Sequence, residues 1–158
     1  MDFSLPTNVA EFVARTEIVA ESLWAEAFER AAKKEISKEV ISSLAEAGLL
    51  GVNIPTEFGG LGLGVVAYAY AIKTIAKADA AVAVTMAVTN MVGEVISQFG
   101  SREQKTLLPK LTGAHYFAGA FALSEPHSGS DASAMRTKAV ERGEKWVLNG
   151  EKLWITSG

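Results

Sequence analysis

The 158-residue sequence contains no cysteine, which excludes disulfides, zinc–thiolate centres and thiol catalysis together. A reducing compartment fits that absence without being required by it. An excess of positive charge is also missing. Fifteen Lys and Arg stand against 18 Asp and Glu, spread along the whole length, so there is no basic footprint for nucleic acid and any anionic ligand must be held by local donors. No secretory signal is legible, because Met1-Asp2-Phe3-Ser4-Leu5-Pro6 carries an acid where a signal carries positive charge and no apolar run follows. A cytoplasmic location is expected. The most apolar stretch, 80–92, contains Thr85, Thr89 and Asn90 and falls short of the roughly 20 residues a membrane span needs. It reads as a buried core helix, with no membrane span and no metal expected.

What is present is globular: 49% hydrophobic and 21% charged residues, in a chain long enough to bury roughly two-thirds of its unfolded surface. The pattern changes near Gly113, with helical periodicity before it and short strands with turns after it. A long helical run from Asn8 to about Lys33 opens with a possible capping box, Asn8 with Glu11, and carries Phe12, Val13, Ile18, Val19, Leu23, Ala27 and Ala31 as an apolar stripe. Ser37 can cap a second helix with Val40, Ile41 and Leu44 on one face, ended by Gly48. The segment 51–64, with Pro55 and five glycines, cannot be regular helix. A third helix over 65–77 presents Val65, Tyr68, Ala69, Ile72 and Ile75 or Ala76. Asp79 caps a fourth, roughly 80–99, apolar nearly all round in its first half and read as the central helix. Gly100 ends it, and Ser101 with Gln104 caps a last short helix to about Leu111.

Beyond that point 116–123 reads as a buried strand, 138–142 and 146–150 as a hairpin turning at Gly143, and 152–156 as the start of another strand. The expected fold is mainly α: an N-terminal bundle of about five helices over 1–113, then the first strands of an incomplete, truncated β domain over 114–158.

Two segments carry chemistry. In Phe121-Ala-Leu-Ser-Glu-Pro-His-Ser-Gly-Ser-Asp131 a strand runs into a turn where Ser128, Gly129 and Ser130 offer hydroxyls and approachable N–H groups, which suits a phosphate. Small polar turns are more often only turns. In Asn149-Gly-Glu-Lys-Leu-Trp-Ile-Thr-Ser-Gly158, residues 154 and 156 would share one face of a strand, a π-surface beside a hydroxyl that could meet a planar ring and its edge. The competing reading puts Trp154 in the core.

Taken together, in order and at this separation, the two segments resemble the Thr/Ser-Glu-Pro-x-x-Gly-Ser-Asp turn and the Asn-Gly-x-Lys-x-Trp-Ile-Thr strand of acyl-CoA dehydrogenases. The glycine segment 54–64 and Gly100-Ser-Arg-Glu-Gln-Lys105 also look like that family, so the resemblance covers essentially the whole chain. It implies FAD as cofactor. Phe121 through Ser130 would line it, with main-chain groups of Leu123 and Ser124 at the pyrimidine side and Gly129 and Ser130 near the pyrophosphate. Ser130 would also touch the acyl-CoA substrate. Trp154 would pack beside the isoalloxazine and Ile155 and Thr156 along its edge, the Thr156 hydroxyl near N5.

Departures from the family pattern are modest. Ser124 stands where Thr is common, and His127 and Ser128 replace small residues. His127 is read as solvated rather than as a base, Glu125 as structural, Asp131 as either a cap or a ligand contact, and His115 is given no role.

The implied reaction oxidises an acyl-CoA thioester to a 2-enoyl-CoA, by α-proton abstraction and β-hydride transfer to flavin N5. The family's base, a glutamate of the C-terminal helical domain, lies outside this segment, so no catalytic residue is assigned here and the segment alone should be inactive and hold FAD weakly or not at all. An electron-transfer flavoprotein is the implied acceptor and a homo-oligomer, dimer or tetramer, the implied full-length state. Asn90, Met91 and Val95 would border the acyl chain. The alternatives are an acyl-CoA oxidase or flavin monooxygenase of the same fold, or a non-catalytic helical partner subunit.

Overall fold

A computed structural model describes residues 4–113 and 118–158, divided between a helical unit, 1–119, and a smaller unit, 120–158. His115 and the first two residues of the strand expected at 116–123 lie outside the described residues. The helical elements are α1 (Thr7–Trp24), α2 (Ala27–Lys33), α3 (Lys38–Glu46), α4 (Gly64–Ala78), α5 (Ala80–Phe99), α6 (Arg102–Lys105) and α7 (Leu108–Thr112). The smaller unit contributes β1 (Lys138–Arg142) and β2 (Lys145–Asn149).

Five helices were expected and seven segments are found among the described residues, because two of the five are each split. The first run breaks at Ala25 and Glu26. The last turn of α1 leaves carbonyls without helical donors, and Arg30 Nη2 of α2 donates to one of them, Leu23 O. The final helix breaks at Thr106 and Leu107, with Pro109, which lacks an N–H and suits a first turn, opening α7. The Asn8–Glu11 capping box does not form: Pro6 occupies the N-cap position and Asn8 is an exposed residue inside α1. The other caps form as expected. Ser37 Oγ accepts from Val40 N (3.4 Å), Asp79 Oδ1 from Ala81 N and Val82 N (3.0 and 3.1 Å), and Ser101 and Gln104 close a reciprocal box.

Packing rotates two of the expected faces. On α1 the buried positions are Val9, Phe12, Thr16, Ala20 and Leu23, while Ile18 is exposed. On α4 they are Ala67, Ala71 and Ile75, with Val65 exposed. Small residues win there because α1 and α4 pack on each other, and alanines allow a close approach of the two helices. The main core gathers Phe12, Leu44, Leu49, Leu50, Val52, Ile75 and Met86, and a second cluster joins Ile54, Leu108 and Leu111.

The fourth expected helix is found at 80–99, but it is not covered all round. Val82, Ala83, Met86, Thr89, Asn90 and Gly93 are buried, whereas Val84, Met91 and Val95 are exposed. Its 20 residues and mean hydropathy of 1.5 reach the range of a membrane span, a test that core helices also pass. Asn90 shows which case applies. Its amide donates to Leu49 O (2.7 Å) and Met86 O (3.0 Å) and accepts from Val52 N (2.8 Å), fastening the glycine segment to α5 inside the unit.

In the smaller unit β1 and β2 pair antiparallel from Lys138–Asn149 to Arg142–Lys145, and Gly143 at φ 62° supplies the left-handed turn residue. Both faces of this hairpin are exposed, including Val140, Trp146, Val147 and Leu148. Neither 118–123 nor 152–156 forms a strand. The second of these expectations fails for a local reason: Trp154 (φ 59°) and Ser157 (φ 60°) adopt left-handed backbone, which extended chain does not tolerate.

Candidate functional site

The segment 121–131 turns sharply at its middle. Glu125 N donates to Ser128 O (2.8 Å) and Ser128 N to Glu125 O (3.1 Å), closing a tight turn with Pro126 and His127 at its tip. Ser128 is buried and its Oγ donates to Asp131 O (2.7 Å). Asp131 in turn caps the short helical turn Ala132–Ala134, accepting from Ser133 N and Ser133 Oγ. Of its two expected roles the cap is the one occupied. Gly129 and Ser130 follow the turn on the exposed side, and a Cβ placed on Gly129 would have nothing within 4 Å.

Residues 149–156 meet this turn from about 30 positions downstream. Leu153 N donates to Ser124 O (2.9 Å). The Lys152 ammonium donates to Leu123 O (2.9 Å) and to Glu125 Oε1 (2.9 Å), and it lies 3.3 Å from Met135 Sδ. The Glu125 side chain is 1% exposed. It collects Arg136 N on Oε2 (2.6 Å), Thr137 N on Oε1 (3.0 Å) and the His127 imidazole Nε2 at 3.3 Å. The hydrogen-bond donors gathered at Thr137, with Arg136 N–H and the Lys152 ammonium, hold its carboxyl well below the usual carboxylate range.

This clamp leaves several polar groups pointing nowhere. Among the described residues the N–H groups of Leu123, Ser124, Gly129 and Ser130 have no acceptor, and the hydroxyls of Ser124, Ser130 and Thr156 have no partner. Such a row of main-chain and hydroxyl donors fits an anionic or heteroaromatic ligand edge. Phe121 is exposed, Leu123 and Ser124 are half-buried, and Ile155 and Thr156 are half-buried after the Trp154 kink. Trp154 itself is 93% exposed, so the reading that places it in the core does not hold in this unit. The reading that puts Trp154 and Thr156 on one strand face is corrected as well, because φ 59° at Trp154 breaks the alternation.

Lys152 went unread in the sequence, although a cation set in the apolar run Leu153-Trp154-Ile155 is the signal that could have found it. In the helical unit Met91 and Val95 are exposed on α5 while Asn90 is buried and fully bonded to the chain, which removes Asn90 from any ligand-facing role. Among the described residues no group of three or more His, Cys, Asp or Glu could hold a metal ion.

Residues 8–114 match the family model "Acyl-CoA dehydrogenase, N-terminal domain" and residues 120–158 match "Acyl-CoA dehydrogenase, middle domain". A curated acyl-CoA dehydrogenase of Bacillus subtilis (strain 168) is 43% identical over 126 residues, covering 78% of this chain and 33% of that protein. The solved butyryl-CoA dehydrogenase of Megasphaera elsdenii superimposes with a TM-score of 0.90 at 35% identity, covering all of this chain and 43% of the other. A glutaryl-CoA dehydrogenase of Mycobacterium smegmatis in complex with FADH2 gives a TM-score of 0.89 at 27% identity, over 96% of this chain and 39% of that one. The chain spans about a third of the length of the curated relatives it matches.

Proposed function

Because this chain belongs to the acyl-CoA dehydrogenase family, we propose that it supplies the front half of the flavin site of an enzyme that oxidises acyl-CoA thioesters to 2-enoyl-CoA. The cofactor is FAD, whose reduced form, FADH2, is named with the Mycobacterium smegmatis neighbour. The observation that carries the proposal is the joining of two distant segments through Ser124 O, Leu153 N and the Lys152 ammonium, with unpartnered donors and an exposed indole left beside the joint.

On this reading the N–H groups of Leu123 and Ser124 donate to the pyrimidine edge, while the N–H groups of Gly129 and Ser130 and the Ser130 hydroxyl hold the diphosphate. Phe121 lines the approach. Trp154 covers one face of the ring and Ile155 packs at its edge, where the Thr156 hydroxyl offers one hydrogen bond. Ser130 also meets the acyl-CoA. When bound, FAD supplies the acceptor for the β-hydrogen and its electron pair.

The α-proton needs a carboxylate in a dry site. Both buried carboxylates among the described residues are already committed, Asp79 to the α5 cap and Arg30 (2.9 Å), Glu125 to Lys152 and two main-chain donors. The resemblance to the family assigns the proposed base to its C-terminal helical domain, and the two committed carboxylates are consistent with that assignment. An electron-transfer flavoprotein as acceptor and a dimeric or tetrameric assembly belong to the same proposal. The test is reconstitution of the complete polypeptide. It should bind FAD stoichiometrically and reduce an artificial acceptor with an acyl-CoA; a colourless protein that takes up no FAD would end the proposal.

A further inference from the structure

The Glu125–Lys152 pair, its carboxylate buried and its lysine half-buried, joins the segments that carry the residues expected to touch a ligand. Lys152 is two residues before Trp154 and four before Thr156, and its ammonium reaches Leu123 O and Glu125 Oε1, both at 2.9 Å. Glu125 opens the tight turn that delivers Gly129 and Ser130, and it also gathers the main chain at Arg136 and Thr137, immediately before β1. A carboxylate that is 1% exposed holds its charge only with partners on every side. Here those partners are the ends of three chain segments.

We propose that Glu125 and Lys152 are positioning residues: a strut that fixes the distance between the ring-facing end of the site, Trp154 and Thr156, and its diphosphate-facing end, Gly129 and Ser130. A flavin dinucleotide is long and must be met at both ends at once, so a strut of fixed length between the two contact groups acts on affinity and on ring placement without touching the ligand. Lysine suits the post. Its compact ammonium serves two oxygens about the turn, whereas the longer planar guanidinium of arginine would displace one of them. The inference rests on the FAD reading above.

The test uses the complete protein with Lys152→Met and Lys152→Arg, each followed by thermal unfolding, FAD affinity, and fluorescence of the bound flavin, which a stacked indole quenches. Lys152→Met should raise the FAD Kd on the order of ten-fold or more and relieve quenching, and Lys152→Arg should fall between it and the unsubstituted protein. Trp154→Phe should relieve quenching by itself, which ties the signal to that indole. Unchanged Kd and quenching in a folded Lys152→Met variant overturn the strut alone. If that variant does not fold, unchanged values in Lys152→Arg overturn it equally. No flavin uptake by the unsubstituted protein sinks the cofactor reading and the strut together.

Discussion

At the scale of single residues, the smaller unit separates side chains that hold the fold from those held out of it. Gly129 illustrates the second kind. A methyl group there meets no protein atom within 4 Å, so Gly129→Ala should leave the thermal midpoint within about a degree of the original, since surface changes away from special features cost little. FAD affinity should nevertheless fall roughly ten-fold, because the methyl intrudes where a diphosphate approaches the backbone. Equilibrium dialysis with FAD checks this.

Glu125 illustrates the first kind. Its carboxyl stays ionised far below the usual range in the folded state, while in the unfolded chain a glutamate takes its proton near ~4.3. The folded pKa is the lower of the two, so the clamp's stabilisation is complete above the unfolded value and is lost as pH falls toward the folded one. Urea midpoints of the complete protein should drop on acidification from about pH 5 to about pH 3, and Glu125→Gln should flatten that drop. An unchanged slope in the variant would remove the clamp from the explanation.

At the scale of elements, caps and glycines decide where helices stop and how closely they pack. Asp79 both starts α5 and receives Arg30 Nε of α2 at 2.9 Å, with both side chains nearly buried. Asp79→Ala removes the cap and takes the buried ion-pair partner from Arg30 Nε, and should cost about 3 kcal/mol in urea denaturation. Gly60 sits so close to the chain that a Cβ would approach Ile54 O to 2.0 Å, so Gly60→Ala should destabilise by about 1–3 kcal/mol. A wild-type midpoint in either variant would contradict the packing described.

Caps were legible in the sequence wherever a short polar side chain stood just before a helical run, as at Ser37, Asp79 and Ser101. Asn8 failed because Pro6, with its φ already fixed, starts the helix earlier. The hairpin was legible because Gly143 lies between two runs of strand-forming residues, but its register was not: the two-residue turn starts the second strand at Lys145, one residue before the expected 146–150.

At the scale of the whole molecule, the chain carries a helical unit with its own core and a smaller unit whose hairpin buries neither face. An exposed two-stranded hairpin is marginal in water, and the two carboxylates buried among the described residues are already paired. The 158-residue chain alone is therefore expected to turn over no acyl-CoA with an artificial acceptor and to hold FAD weakly; measurable turnover would place a base within these residues.

The sequence by itself determined the family, most helix starts and the presence of a hairpin turning at Gly143, since these depend on short-range patterns: a cap beside its helix, a glycine at a turn, a motif read in order. Tertiary structure alone decided which face of α1 and α4 is buried, the left-handed kink that turns Trp154 out to 93% exposure, and the meeting of Lys152 with Glu125 across 27 positions. Those outcomes depend on partners far away along the chain, and a local pattern contains no information about which distant surface or charge will arrive.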